Sequence, residues 1–308
     1  MAKKITNIAE EDAMAVLQQR GTVMQASEDG VGEDAQGVVS SPITVNGWTQ
    51  VDNADLPTKG KFYREVWVKP FDVKTVREVS SVDPNNALAT LKSMCDILSR
   101  NCYIIDLDGN KIDGSNLKRA DSLSVLLVIR AITYVDDFKL SLASPATCSV
   151  CGKQIEQIEC DGASILDWPA KFDEIAKIDE QGNILYKNFK FHLPTISEVL
   201  LFITMLLSDD PSMKLDETTR SDASALLYIC PAVTTTTQMH RAILEASTSM
   251  YGMSLKDIAV FRKFVQFLDK SIGTESTIDT QCPHCGGDIK IPFSVGIADI
   301  CLATVEDL

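Results

Sequence analysis

Two short stretches carry the strongest chemistry in this sequence: CSVCG at 148–152 and CPHCG at 282–286. Two cysteines separated by two residues can turn both sulfurs toward one ion, and the glycine that follows lets backbone amides approach those sulfurs. A structural zinc ion takes four such ligands in a tetrahedron, and one knuckle supplies two. Neither pair has a second CxxC or an HxxxH partner close to it, so the simplest arrangement brings both knuckles to one ion. Cys148, Cys151, Cys282 and Cys285 are therefore expected to form one closed zinc site. The spacing favours zinc over a thioredoxin-like redox pair, which needs a single motif at a strand-to-helix turn. Four thiolates also admit iron, although iron–sulfur cluster spacing is missing. His284 lies inside the second knuckle, where such loops turn a side chain to solvent, and it is set aside as a ligand. A site of this kind has no open position at which to activate water.

Other signatures of catalysis are missing. The three histidines, His192, His240 and His284, belong to no Ser or Cys partner pattern. No GxGxxG, GxSxG or HExxH occurs. Acidic runs such as SDDPSMKLDE read as solvated faces. In DLPTKGKFY at 55–63, Asp55 and Phe62 stand where a Walker loop requires Gly and Ser or Thr. Asp106, Asp108 and Asn110 imitate the start of a calcium loop, but Lys111 and Leu117 occupy the places of its Gly and closing Glu. A plain turn is expected there. The chain reads as non-enzymatic.

Composition narrows the class further. With 43 acidic against 29 basic residues, the formal charge of −14 repels polyanions and argues against nucleic acid. A hydrophobic content of 45% over 308 residues is enough to bury a large core. The most apolar run, VLLFITMLL at 199–207, is too short for a membrane span. The start has no apolar segment of the secretory type. Nine cysteines without an export signal do not suggest a disulfide framework, and Cys95, Cys102, Cys230 and Cys301 are expected as small buried hydrophobes.

The elements that must position the knuckles follow from turn and cap signals. Residues 1–50 are rich in Gly, Ser, Asp and Gln and read as an extended or flexible arm, with a short helix possible at Ile8–Arg20 and a turn at Asn46-Gly47. Residues 51–160 form an N-terminal part ending in the first knuckle: a strand near FYREVWVKPF, a helix at Val73–Val82, and a helix started by Asp83-Pro84. A hairpin turning at Asp108-Gly109-Asn110 follows, then a helix capped by Asp121 and apolar except at Arg130, then the strand FKLSLAS. Residues 161–308 hold a hairpin turning at Gln181-Gly182-Asn183 and then helices, the first opened by a Thr195/Glu198 capping box. Further helices are expected at 216–229, 237–250 and 254–272, before the second knuckle. The fold class is α+β: helical core segments, short β-hairpins and a zinc-ribbon-like site made of two CxxC knuckles. Each half has the order helix, CxxCG knuckle, strand.

This order, from DLPTKGKFY through RADSLSVLLVIRAITY to CSVCG and CPHCG, resembles the baseplate hub and tail-assembly proteins of contractile-tailed phages. The matching residues are Leu56, Pro57, Gly60, Phe62 and Tyr63, then Asp121 and Arg130, then the four knuckle cysteines. Thr58 departs from the usual Ser, and the arm has no counterpart. The resemblance implies a non-enzymatic structural or assembly role in the tail baseplate hub, through contacts with other hub proteins. It also implies location in the virion, with the host bacterial cytoplasm as the place of assembly. Leu56, Pro57, Gly60, Phe62 and Tyr63 would then be an exposed partner-contact loop, or else an ordinary loop packed on its own core. The alternative class is a zinc-ribbon module for nucleic acid. It needs a basic or aromatic face near the knuckles, where the sequence offers only Lys153 and Lys290.

Overall fold

Turn and cap chemistry sets where each element begins, and burial of the apolar faces brings the elements together. The computed structural model describes residues 44–83, 86–134, 139–161, 177–272, 277–292 and 297–301. The helix expected at Ile8–Arg20 lies outside them. Asn46 and Gly47 both adopt positive φ, at 51° and 78°. They make the two-residue turn that joins β1 (Thr44–Val45) to β2 (Trp48–Val51), as a tight antiparallel hairpin requires. Of the arm expected over residues 1–50, residues 1–43 lie outside the described residues, and Thr44–Val45 and Trp48–Val51 are strands of a sheet.

That sheet continues through β3 (Glu65–Val68), β4 (Cys102–Ile105) and β5 (Lys111–Asp113), all antiparallel, in the spatial order β1-β2-β3-β4-β5. Period-two alternation buries Val66, Val68, Cys102 and Ile104 on the inner face. Trp67 and Tyr103 face outward with near-parallel rings 6.1 Å apart, and the Lys111 ammonium lies 3.7 Å over the Tyr103 ring. Between β3 and β4 run α1 (Val73–Ser80) and α2 (Ala87–Asn101). The Asn86 side chain caps α2 by accepting the Ala89 amide at 3.0 Å, so this helix starts after the Asp83-Pro84 pair expected to open it.

The helix α3 (Arg119–Thr133) is the core of the first half, buried without a break from Ser124 to Ile132. Asp121 does not cap it, which corrects the sequence reading. Lys118 holds the cap position without a side-chain bond, and Asp121 sits inside the first turn. Its carboxylate instead accepts the Thr58 amide at 2.9 Å and the Thr58 hydroxyl at 2.5 Å. This pair draws the DLPTKGKFY stretch inward. Leu56, Pro57, Thr58, Phe62 and Tyr63 are buried, with Leu56 at 1% and Tyr63 at 2% exposure. Lys59 and Gly60 turn the loop with successive positive φ values of 52° and 68°, and a Cβ at Gly60 would overlap the Asn53 side chain. Of the two readings of this loop, burial of Leu56, Pro57 and Tyr63 and the bond from Thr58 to Asp121 favour packing on its own core, while Gly60 is half-buried and Phe62 lines a surface cleft.

Burial raises the Asp121 carboxyl to about 7, against the lowering effect of the Thr58 bonds and Lys59. A raised acid contributes stability that is fully present below its unfolded value, 3.8, and is lost as pH rises through about 7. Unfolding free energy should therefore fall by about 2–3 kcal/mol between pH 5 and pH 8 from this group alone. Urea titrations across that range check it. Asp121→Asn should flatten the slope, and an unchanged slope would exclude Asp121 as its source.

In the second half, β8 (Lys177–Ile178), β9 (Ile184–Tyr186) and β10 (Phe189–Phe191) form an antiparallel sheet in the order β10-β9-β8. The single hairpin expected there is thus a three-strand meander, with its extra turn at Lys187, φ 53°. The expected capping box opens α4 (Ile196–Leu206), where the Thr195 hydroxyl and the Glu198 carboxylate satisfy each other's backbone amides. Then come α5 (Glu217–Leu226), α6 (Thr236–Tyr251) and α7 (Leu255–Ser271). Tyr186 stacks on Phe264 at 4.0 Å, and Phe191 on Phe261 at 5.8 Å, tying the meander to α7. One buried cluster runs from Val51 to Cys301, so residues 51–160 and 161–308 share a core. Cys95, Cys102, Cys230 and Cys301 lie within it as expected, and burial pushes the thiols of Cys95, Cys230 and Cys301 up to about 12.

Candidate metal centre

The centre is built outward from the end of α3. Beyond it the chain enters β6 (Lys139–Thr147), turns, and returns as β7 (Gln154–Asp161). A second antiparallel pair, β11 (Thr277–Gln281) and β12 (Asp288–Pro292), precedes the short helix α8 (Ile297–Cys301). Each knuckle is the tip of one of these hairpins, and the two tips have the same backbone pattern. The Cys148 amide donates to the Lys153 carbonyl and Gly152 to the Cys148 carbonyl, both at 2.9 Å. Cys282 donates to Gly287 at 2.9 Å and Gly286 to Cys282 at 2.8 Å. Gly152 and Gly286 close the tips at φ 70° and 68°, a conformation that disfavours any side chain.

These turns aim amides at sulfur. Val150 and Cys151 donate to Cys148 Sγ at 3.3 and 3.4 Å, and His284 donates to Cys282 Sγ at 3.4 Å. The four sulfurs then meet: Cys148 lies 3.8 Å from Cys285, and Cys151 lies 3.8 Å from Cys282. All four are within 4.8 Å of one another. A disulfide would need about 2.05 Å. Bonds of about 2.3 Å in a tetrahedron place the sulfurs about 3.8 Å apart. The residues therefore fit a four-coordinate thiolate-bound ion, and the four cysteines could hold one metal.

Electrostatics point the same way. The Cys151 amide, against burial and with help from the Val150 amide, holds the Cys148 thiol down near 6. At Cys285 the Gly287 amide also lowers the value, but burial and the sulfurs of Cys151, Cys282 and Cys148 raise it to about 12. Thiolates this close repel one another, so a bound cation favours the fully deprotonated set.

Cys148 and Cys282 face inward at 2% exposure, packed with Ile155 and Ile289 in a small cluster apart from the main core. Cys151 and Cys285 face solvent. His284 is exposed, as expected, and its Nε2 lies 3.3 Å from the Gln154 carbonyl of the opposite hairpin. A Cβ at Gly287 would come within 3.1 Å of Val150, so the tips are in close contact.

Two further residues hold the hairpins in place. Arg130, wholly buried on α3, donates from Nη1 to the Ile300 carbonyl at 2.8 Å, with its guanidinium 5.0 Å from the Tyr134 ring centre. The Tyr134 hydroxyl donates to the Cys301 carbonyl at 2.6 Å. Both close the open carbonyl end of α8, where positive charge is favourable. A lone charge in an apolar helix was the sequence signal for Arg130, and nothing local pointed to Ile300. Elsewhere, His192 Nε2 lies 2.8 Å from Glu198 Oε2, the carboxylate that caps α4.

The arrangement brings four cysteines from two distant hairpins of an α+β chain together where they could hold one metal ion. Compared with known proteins, the chain matches no family model, no curated protein and no solved structure. Among the described residues, no helix is long and apolar enough to cross a membrane.

Proposed function

We propose that this chain is a non-enzymatic structural or assembly component of a phage tail baseplate hub, and that the four cysteines hold one zinc ion. The observation that supports this reading best is the sulfur cluster, in which all four positions come from the chain and none is left for a substrate or water. When bound, the ion supplies a tether between residues 131–137 positions apart in sequence, and no chemistry beyond it. The order of motifs in the sequence gives the hub assignment. In this reading the protein works through contacts with other hub proteins, in the bacterial cytoplasm during assembly and in the virion. The nucleic-acid alternative would need a basic face at the tips, where Lys153 is exposed but the sequence offers only Lys290 besides it.

Elemental analysis of the purified protein should find about one zinc per chain and a colourless solution. Iron, with the visible absorption of a ferric thiolate, would replace zinc in the proposal. Two ions per chain would break it. Disrupting the coding sequence in a phage that carries it should leave particles without complete baseplates, and intact baseplates would overturn the hub assignment.

A further inference from the structure

Away from the metal centre, a cleft of about 790 Å³ opens between two turns built to one plan. The sequence DLDGN at 106–110 and the sequence DEQGN at 179–183 each begin with Asp and end with Gly-Asn. In the first, the Asp106 carboxylate accepts the Asn110 amide at 2.7 Å and the Asn110 side chain at 3.1 Å. In the second, Asp179 accepts the Asn183 amide at 2.8 Å and its side chain at 2.9 Å. The glycines take φ of 90° and 77°. Both walls are thus held by the same internal bonds.

The floor between them is apolar, from Phe62, Leu107, Ile112, Ile229 and Pro231. Phe62 is the one side chain of the opening loop that reaches this cleft. Ile112 belongs to β5 and Lys190 to β10, and each of those strands is the last of its sheet. An end strand leaves backbone donors and acceptors for an added chain.

The charges are unequal. The polar side chains of the walls are engaged: Lys190 pairs with Asp179 at 2.9 Å, His192 Nε2 lies 2.8 Å from Glu198 Oε2, and Lys118 donates to the Leu193 carbonyl at 2.8 Å. Asp108 and Glu180, at the two tips, are exposed and ion-pair with nothing among the described residues. The cleft therefore presents an apolar floor with two unpaired carboxylates, Asp108 and Glu180, at its rim; the Arg64 guanidinium lies beside Gly109 on the first turn without pairing to either.

We propose that this cleft binds an extended segment of a partner polypeptide, with apolar side chains on the Phe62–Ile112–Pro231 floor and a Lys or Arg at the Asp108–Glu180 rim. The proposal rests on the reading that the protein acts through protein contacts, and it names where and with what chemistry. The volume is in the range of formed binding sites, about 300–1,000 Å³. Opposite charge at the rim selects the partner and steers its approach.

The test uses the full metal-bound chain and two blocked five-residue peptides, one alternating valine with lysine and one alternating valine with glutamate. Calorimetry at low salt should show the lysine peptide binding at least tenfold more tightly. The double variant Asp108→Lys/Glu180→Lys should abolish or reverse that preference. An equal charge change at Asp209 and Glu217 should leave it intact, which separates the cleft from the overall acidity of the protein. Melting temperatures of both variants show that the fold is kept. Equal binding of the two peptides, or a preference untouched at 108 and 180, would overturn the proposal. Binding seen only after removal of residues 1–43 would assign the cleft to this chain's own N-terminal residues and also overturn it. Peptide binding is read on purified protein, so its failure is separate from failure of the hub assignment, which baseplate formation reports.

Discussion

Cys282→Ser should strip the metal from the protein and lower its melting temperature by about 10 °C, the equivalent of roughly 3–5 kcal/mol. The size follows from how little else holds the hairpin tips. Among the described side chains, the cluster around the sulfurs contains only two that are not cysteines, Ile155 and Ile289. Their burial contributes about 2–3 kcal/mol each, whereas fixing each backbone residue costs about 1–2 kcal/mol. An ion bound by the four sulfurs would add directly to the stability of these hairpins. The loss should also be local, because the main cluster from Val51 to Cys301 is separate. Limited proteolysis should cut within 139–161 and 277–292 while the remainder stays resistant. Cys230→Ala, which removes a thiol from the main core, serves as the control: it should keep the metal and shift the melt by much less. Equal shifts in both variants, or full metal retention in Cys282→Ser, would refute the four-sulfur centre.

What could be read from the sequence divides by distance along the chain. The knuckles were legible because CxxCG fixes its own geometry: one glycine at positive φ and local amides aimed at sulfur are enough. The Thr195/Glu198 box and the Asn46-Gly47 and Gln181-Gly182-Asn183 turns were legible for the same reason. Asp121 shows the opposite case. An Asp before an apolar run signals an N-cap, yet here the Arg119 amide already has a partner in the Pro194 carbonyl at 2.9 Å. With that amide satisfied from a remote segment, the helix starts three residues earlier, with Lys118 at the cap position. The carboxylate is left to bond Thr58, 63 positions away. The same bond bears on the opening loop, for which the sequence left an exposed contact loop and a core-packed loop both open. Its Pro, Gly and aromatic residues suit an exposed contact loop and a buried one equally, and only the partner across the core decides between them.

Arg130→Met should cost about 3–5 kcal/mol and also loosen the metal site, although Arg130 is not among the four clustered cysteines. The argument is topological. The helix carrying Arg130 leads into β6 and the first knuckle, and the segment it holds, α8, follows β12 and the second knuckle. The bonds from Arg130 to Ile300 and from Tyr134 to Cys301 therefore lock the roots of both hairpins at one place. Methionine fills much of the same volume, so the main effect is not a cavity. It removes the donor to the Ile300 carbonyl, a buried acceptor, and the positive charge that favours a helix C-terminus. With the roots free, the tips would spend less time within 3.8 Å of each other, and chelator should extract the ion from Arg130→Met at least tenfold faster than from the parent. Tyr134→Phe removes a single bond from the same junction and should show the same effect in weaker form. Stability lost with unchanged extraction kinetics would separate the junction from the metal, and would mean that the knuckles find each other without help from α3.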